Sequence, residues 1–101
     1  GWNSECFFET NLFWEQTREA LYNTVEVLSA AEAKPEHIVR MTWFITSRKE
    51  YLEQQKEIGK AYREIIGKHY PAMSVLVVSE LIEEAAKVEI ETTAVIPEIS
   101  R

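Results

Sequence analysis

Apolar residues along the chain recur with two periods, and the switch between them marks the elements. In FETNLFWEQTREALYNTVEVLSAAEA, Trp14, Leu21, Val25 and Leu28 fall on one helical face. Thr10 or Asn11 can cap this helix, Glu15 suits the positive end of its dipole, and Lys34-Pro35 should stop it. IVRMTWFIT then alternates. Val39, Met41, Trp43 and Ile45 share one side, and Arg40, Thr42, Phe44 and Thr46 the other. Large apolar groups on both sides predict a central strand. SRKE at 47–50 reads as a capping box opening one helix, with Tyr51, Gln55, Ile58, Tyr62 and Ile65 as its stripe and Gly67 just past its end.

Two further strands follow, MSVLVVS and AKVEIETTAVI, joined by the acidic stretch ELIEEA. In the last, Val88, Ile90, Thr92, Ala94 and Ile96 share one face, and Lys87, Glu89, Glu91, Thr93 and Val95 the other. The order helix, strand, helix, strand, strand predicts an α+β domain spanning residues 1–101, with both helices on one face of the sheet. The first two strands should be parallel neighbours, and the last two a hairpin or looser antiparallel pair. Met73, Val75 and Val77 are expected on the face away from the helices. So apolar a face predicts an interface with further copies of the chain.

Charge and composition narrow the partners. With 17 acidic against 11 basic residues the net charge is −6, which opposes phosphate backbones and anionic lipid, so neither nucleic acid nor membrane is expected as partner. No apolar run is long enough to span a bilayer. Cys6 is the single cysteine, which excludes an internal disulfide and favours a reducing, cytoplasmic setting. One cysteine with the separated His37 and His69 gives no metal-ligand spacing, and no cofactor is expected. Both histidines flank elements and read as boundary residues. A chain of 101 residues buries a modest share of its surface, which again favours oligomerisation.

Three blocks in order, QTREALYNTVEVLSAAEAKPEHIVRMTWFIT, AYREIIGKHYPAMSVLVV and KVEIETTAVIP, closely resemble the Rid family, the YjgF-type proteins also called L-PSP endoribonucleases. The resemblance implies a fold like the small bacterial chorismate mutase, assembled as a homotrimer with small-molecule clefts between subunits. Gly1-Trp2-Asn3 resembles the end of the family's third strand, so the family's N-terminal hairpin is expected to be missing from this sequence.

The resemblance also names a site. In the family's deaminases the motif after proline reads alanine–arginine–serine, the arginine holding the substrate carboxylate, and a glutamate in the last strand positions water. Here the motif is Ala72-Met73-Ser74, while the glutamate position falls on Glu89. A thioether replaces a planar fork of charged donors, and losing such a pair in a cleft costs about 2–5 kcal/mol. Met73 either fills an intersubunit core or lines a more hydrophobic cleft beside Trp2 or Trp43. Arg40 is a candidate replacement anchor or a strand-edge charge, and Arg18, Arg48 and Arg63 are expected to be solvated. Glu89 is either a general acid/base, with Ser74 assisting, or a structural carboxylate. Two functions follow: a divergent hydrolase of an imine or enamine metabolite, and a non-catalytic metabolite-binding homotrimer.

Overall fold

The structure, a computed structural model, describes residues 12–97. Trp2, Cys6, Thr10 and Asn11, to which the sequence assigns roles, lie outside these residues.

Helix α1 spans Phe13–Ala30 and turns Phe13, Gln16, Thr17, Ala20 and Leu21 inward. Trp14, Val25 and Leu28 pack along the margins of that face, so of the expected stripe only Leu21 reaches its centre. The helix ends short of Lys34-Pro35. Glu32 adopts a left-handed φ of 62°, and the amides of Ala31 and Ala33 both bond back to the Leu28 carbonyl. Pro35 instead opens a short 3-10 turn, Pro35–His37, where its fixed φ is suited to the first position.

Strand β1 is Ile38–Ile45, α2 is Arg48–Glu53, α3 is Gln55–Ile65, β2 is Ala72–Val77 and β3 is Val88–Ala94. The helix expected from Ser47 onward bends at Gln54, whose side-chain oxygen accepts the Trp14 amide at 2.9 Å and so ties the start of α1. Ser47 caps α2 through the Glu50 amide at 3.1 Å, but the Glu50 carboxylate turns to Lys87 at 2.9 Å instead of completing the box. Gly67 has a φ of 91°, the conformation that ends a helix at least cost when there is no Cβ.

The sheet order is β2-β1-β3, with β1–β2 parallel and β1–β3 antiparallel. The expected pairing of the last two strands is therefore wrong, since β1 lies between them. The connection from 78 to 87 crosses the end of β1, bonding to it through Val78 N–H to Ile45 O at 2.8 Å and Thr46 N–H to Lys87 O at 3.1 Å. Buried Gln16 pins this crossing: its amide donates to Ala85 O at 3.0 Å and accepts from Lys87 N–H at 2.8 Å.

Register decides which side chains meet. Met41 lies opposite Met73 and Thr92, Trp43 opposite Val75 and Ile90, and Ile45 opposite Val77 and Val88. Opposed residues share a face, so Met73, Val75 and Val77 project toward the helices, the reverse of the expectation. The far face carries Arg40, Thr42 and Phe44, flanked by Ala72, Ser74 and Leu76 on one side and Thr93, Glu91 and Glu89 on the other. A second correction concerns Val39. The register shifts between Ile38 and Arg40, so Ile38 enters the core and Val39 is exposed. The core joins Phe13 and Leu21 of α1 to Ile38, Met41, Trp43 and Ile45 of β1, Ile58 and Tyr62 of α3, then Ile66 and Val88. No helix among the described residues is long and apolar enough to cross a membrane.

Candidate functional site

Where β2 begins, the helix-side layer leaves a cavity of about 210 Å³. Met73 stands at it, 41% exposed, with Trp43 from β1, Tyr51 from α2, Ile58, Gly59, Tyr62 and Arg63 from α3, and Tyr70 from the approach to β2. Tyr62 and Tyr70 stack with centroids 5.7 Å apart and planes 16° from parallel. Burial, with a smaller contribution from Tyr70, raises the Tyr62 phenol above its ordinary pKa. It stays protonated and donates to the His69 carbonyl at 2.6 Å. The His69 ring in turn lies 2.7 Å from the Ile38 carbonyl through Nε2. The aromatic wall is thus fastened to two backbone segments. Trp43 is only 2% exposed, and its indole N–H has no partner among the described residues.

Across the sheet the other candidates share the open face without forming one cluster. Ser74 lies opposite Thr42, one row from Arg40, and Glu91 flanks Thr42 on the other side. Glu89 is opposite Phe44, four residues from Arg40 along β1, or about 13 Å at strand spacing. Arg40, Ser74, Glu89 and Glu91 are all exposed among the described residues. Glu89 and Glu91 also line a larger cavity of about 570 Å³ with Asn23, Thr24 and Val27 of α1. Met73 and Glu89, paired by sequence reasoning, face opposite sides of the sheet.

Sequence reading missed Arg63, Gly59 and the tyrosine wall. The sequence spacing puts Tyr51 and Tyr62 in the core stripe of the helix and predicts a solvated Arg63. The overlooked signal was Gly59, in the middle of a helix where glycine is unfavourable by about 1 kcal/mol against alanine. The two histidines do hold boundaries: His37 Nδ1 accepts the Lys34 amide at 2.9 Å, as His69 meets Ile38. Among the described residues no three His, Cys, Asp or Glu side chains gather as a metal site would require.

The model of the family described as Endoribonuclease L-PSP matches residues 3–96. The chain belongs to the endoribonuclease L-PSP family. Solved structures agree. YyfB of Yersinia pestis, of the conserved Rid protein family, is 26% identical with a TM-score of 0.79, over 94% of this chain and 71% of that one. Rv2704 of Mycobacterium tuberculosis, of the YjgF/YER057c/UK114 family, is 28% identical with a TM-score of 0.73, over 87% and 71%. TdcF of E. coli, solved with bound serine, is 31% identical with a TM-score of 0.69, over 83% and 65%. A comparison with curated proteins gives no match. The α+β, chorismate mutase-like fold expected from the L-PSP resemblance is the fold found.

Proposed function

We propose that this L-PSP family chain binds a small metabolite against Met73, as a homotrimer, without acid/base chemistry from its own chain at that cavity. One observation carries the reading: among the described residues the cavity shared by Met73 and Trp43 is lined by aromatic, apolar and amide groups and one arginine, with no carboxylate or imidazole. Such a lining binds and orients, but offers no group that exchanges protons near neutral pH. The serine bound in TdcF supports a small metabolite as ligand class. Trimer formation is supported by the apolar side chains exposed among the described residues, Leu76 and Val77 on the edge strand β2 among them. Trp2 remains a candidate at an intersubunit cleft.

A second reading, hydrolysis of an imine or enamine, is favoured by the exposed Glu89. A neighbouring subunit could bring this carboxylate to Met73, with Arg40 and Ser74 as further contacts. Ribonuclease action is opposed by the net charge of −6 and by the engagement of both imidazoles with backbone groups. The test is imine hydrolysis, with an amino-acid oxidase generating 2-imino acids and a trapping reagent competing for them. The binding reading expects no acceleration by the native protein. Acceleration would overturn it, and activity appearing only in Met73→Arg would show a competent scaffold whose ligand choice has changed.

A further inference from the structure

We propose that the ligand of this cavity is a single-ring aromatic carboxylate, its ring held by the aromatic wall and its carboxylate by the Arg63 guanidinium. The inference rests on the reading above that the Met73 cavity is a binding site, and assigns it a ligand class and an anchor.

Size comes first. A volume of about 210 Å³ is below the ~300–1,000 Å³ of drug-sized pockets, but above the ~150 Å³ of a cavity that holds one benzene. One ring with a short substituent fits. The walls then select an aromatic ring: Trp43, Tyr51, Tyr62 and Tyr70 present π-faces and edges, and Met73 adds a polarizable sulfur that packs well against rings.

Charge selects the substituent. Among the described residues Arg63 is the charged residue of the lining, and no carboxylate shares it. Arg63 forms no ion pair or hydrogen bond with the described residues, whereas the neighbouring Glu64 is taken by Arg18 at 2.8 Å. The position of the guanidinium is built into the helix. Gly59, one turn earlier, has no side chain, and a Cβ placed there would meet Arg63 Nη1 at 3.3 Å. The arginine therefore folds back along α3 over bare backbone, toward the cavity. In a chain of net charge −6, an unpaired planar donor fork beside an aromatic cavity is a specific invitation to a carboxylate.

The probe is phenylacetate, with phenylacetamide as its uncharged counterpart, titrated calorimetrically into the full chain and into Arg63→Gln. Arg63 is exposed, so the variant should melt with the native protein. Phenylacetate should bind the native chain about tenfold more tightly than it binds Arg63→Gln, with the Trp43 indole N–H resonance moving in both. Phenylacetamide should bind the two proteins alike. Equal phenylacetate affinity for both would overturn Arg63 as anchor while leaving the cavity as a site. No binding of either probe, with the indole resonance unmoved, would overturn the aromatic-carboxylate assignment. Binding of serine at that same cavity would then keep the broader small-metabolite reading, and its absence would remove it.

Discussion

The two faces of the sheet are made from the same three strands yet differ in what finishes them. On the helix side Met41, Trp43 and Ile45 are at most 2% exposed, covered by α1 and α3. On the far side Arg40, Ser74, Leu76, Glu89 and Glu91 remain in solvent. Among the described residues the centre of one face is covered by α1 and α3, and the other mixes charge with exposed apolar side chains. The cavity at Met73 lies where edge strand β2 begins, between it and residues of α2 and α3. Binding there inherits a rigid wall, while chemistry based on Glu89 would have to be assembled from the other face.

If that contrast is right, substitutions on the helix side should dominate stability. Trp43→Ala should cost about 3–5 kcal/mol in denaturant unfolding. A cost below about 1 kcal/mol would mean that this face is not the packed one. Gln16→Leu comes next, at about 2–4 kcal/mol, because it strands the Ala85 carbonyl and the Lys87 amide where the connection crosses β1. Gly59→Ala should have the opposite sign, stabilising α3 by about 1 kcal/mol while weakening phenylacetate binding as the new methyl displaces Arg63. Stabilisation with unchanged binding would separate the glycine from the site.

On the open face, Leu76→Glu should change subunit stability by less than about 0.5 kcal/mol, yet lower the oligomeric mass measured by light scattering. An unaltered mass would remove Leu76 from the interface. The smallest effect belongs to the exposed Arg18–Glu64 pair, which ties α1 to α3. Its hydrogen bond and charge attraction hold the Glu64 carboxyl below its ordinary pKa. A lowered folded-state value means stabilisation that is present above the unfolded carboxylate range and lost as pH falls through the folded value. Glu64→Gln should flatten that acid limb slightly, and added salt should do the same to the native protein.

Much of this was legible in the chain. The alternation in IVRMTWFIT placed Met41, Trp43 and Ile45 together, and the spacing from Tyr51 to Ile65 located α3, because burial imposes those periods directly. Pairing was not legible. Alternation in MSVLVVS says that Met73, Val75 and Val77 share a face but not which face. Only the Met41–Met73 register settles it, and register is tertiary. The same limit misplaced β3 beside β2, since a short acidic connection looks like a hairpin loop until the crossing over β1 is seen. Val39 was misassigned by a one-residue bulge that reverses alternation without a sequence signal. Met73 and Trp43 line one cavity, an arrangement that the sequence leaves open beside the intersubunit core. Arg63 was not legible, because its approach depends on a bare Gly59 four residues away.

The most direct test is to locate the ligand by magnetic resonance. Phenylacetate would be titrated into the native protein carrying labelled methionine methyls and labelled backbone and indole nitrogens. Saturable shifts of the Met73 methyl and the Trp43 indole N–H, with Arg40, Ser74 and Glu89 unmoved, are the expected result. Shifts centred on Arg40, Ser74 and Glu89, with Met73 and Trp43 silent, would place binding on the open face and contradict the account.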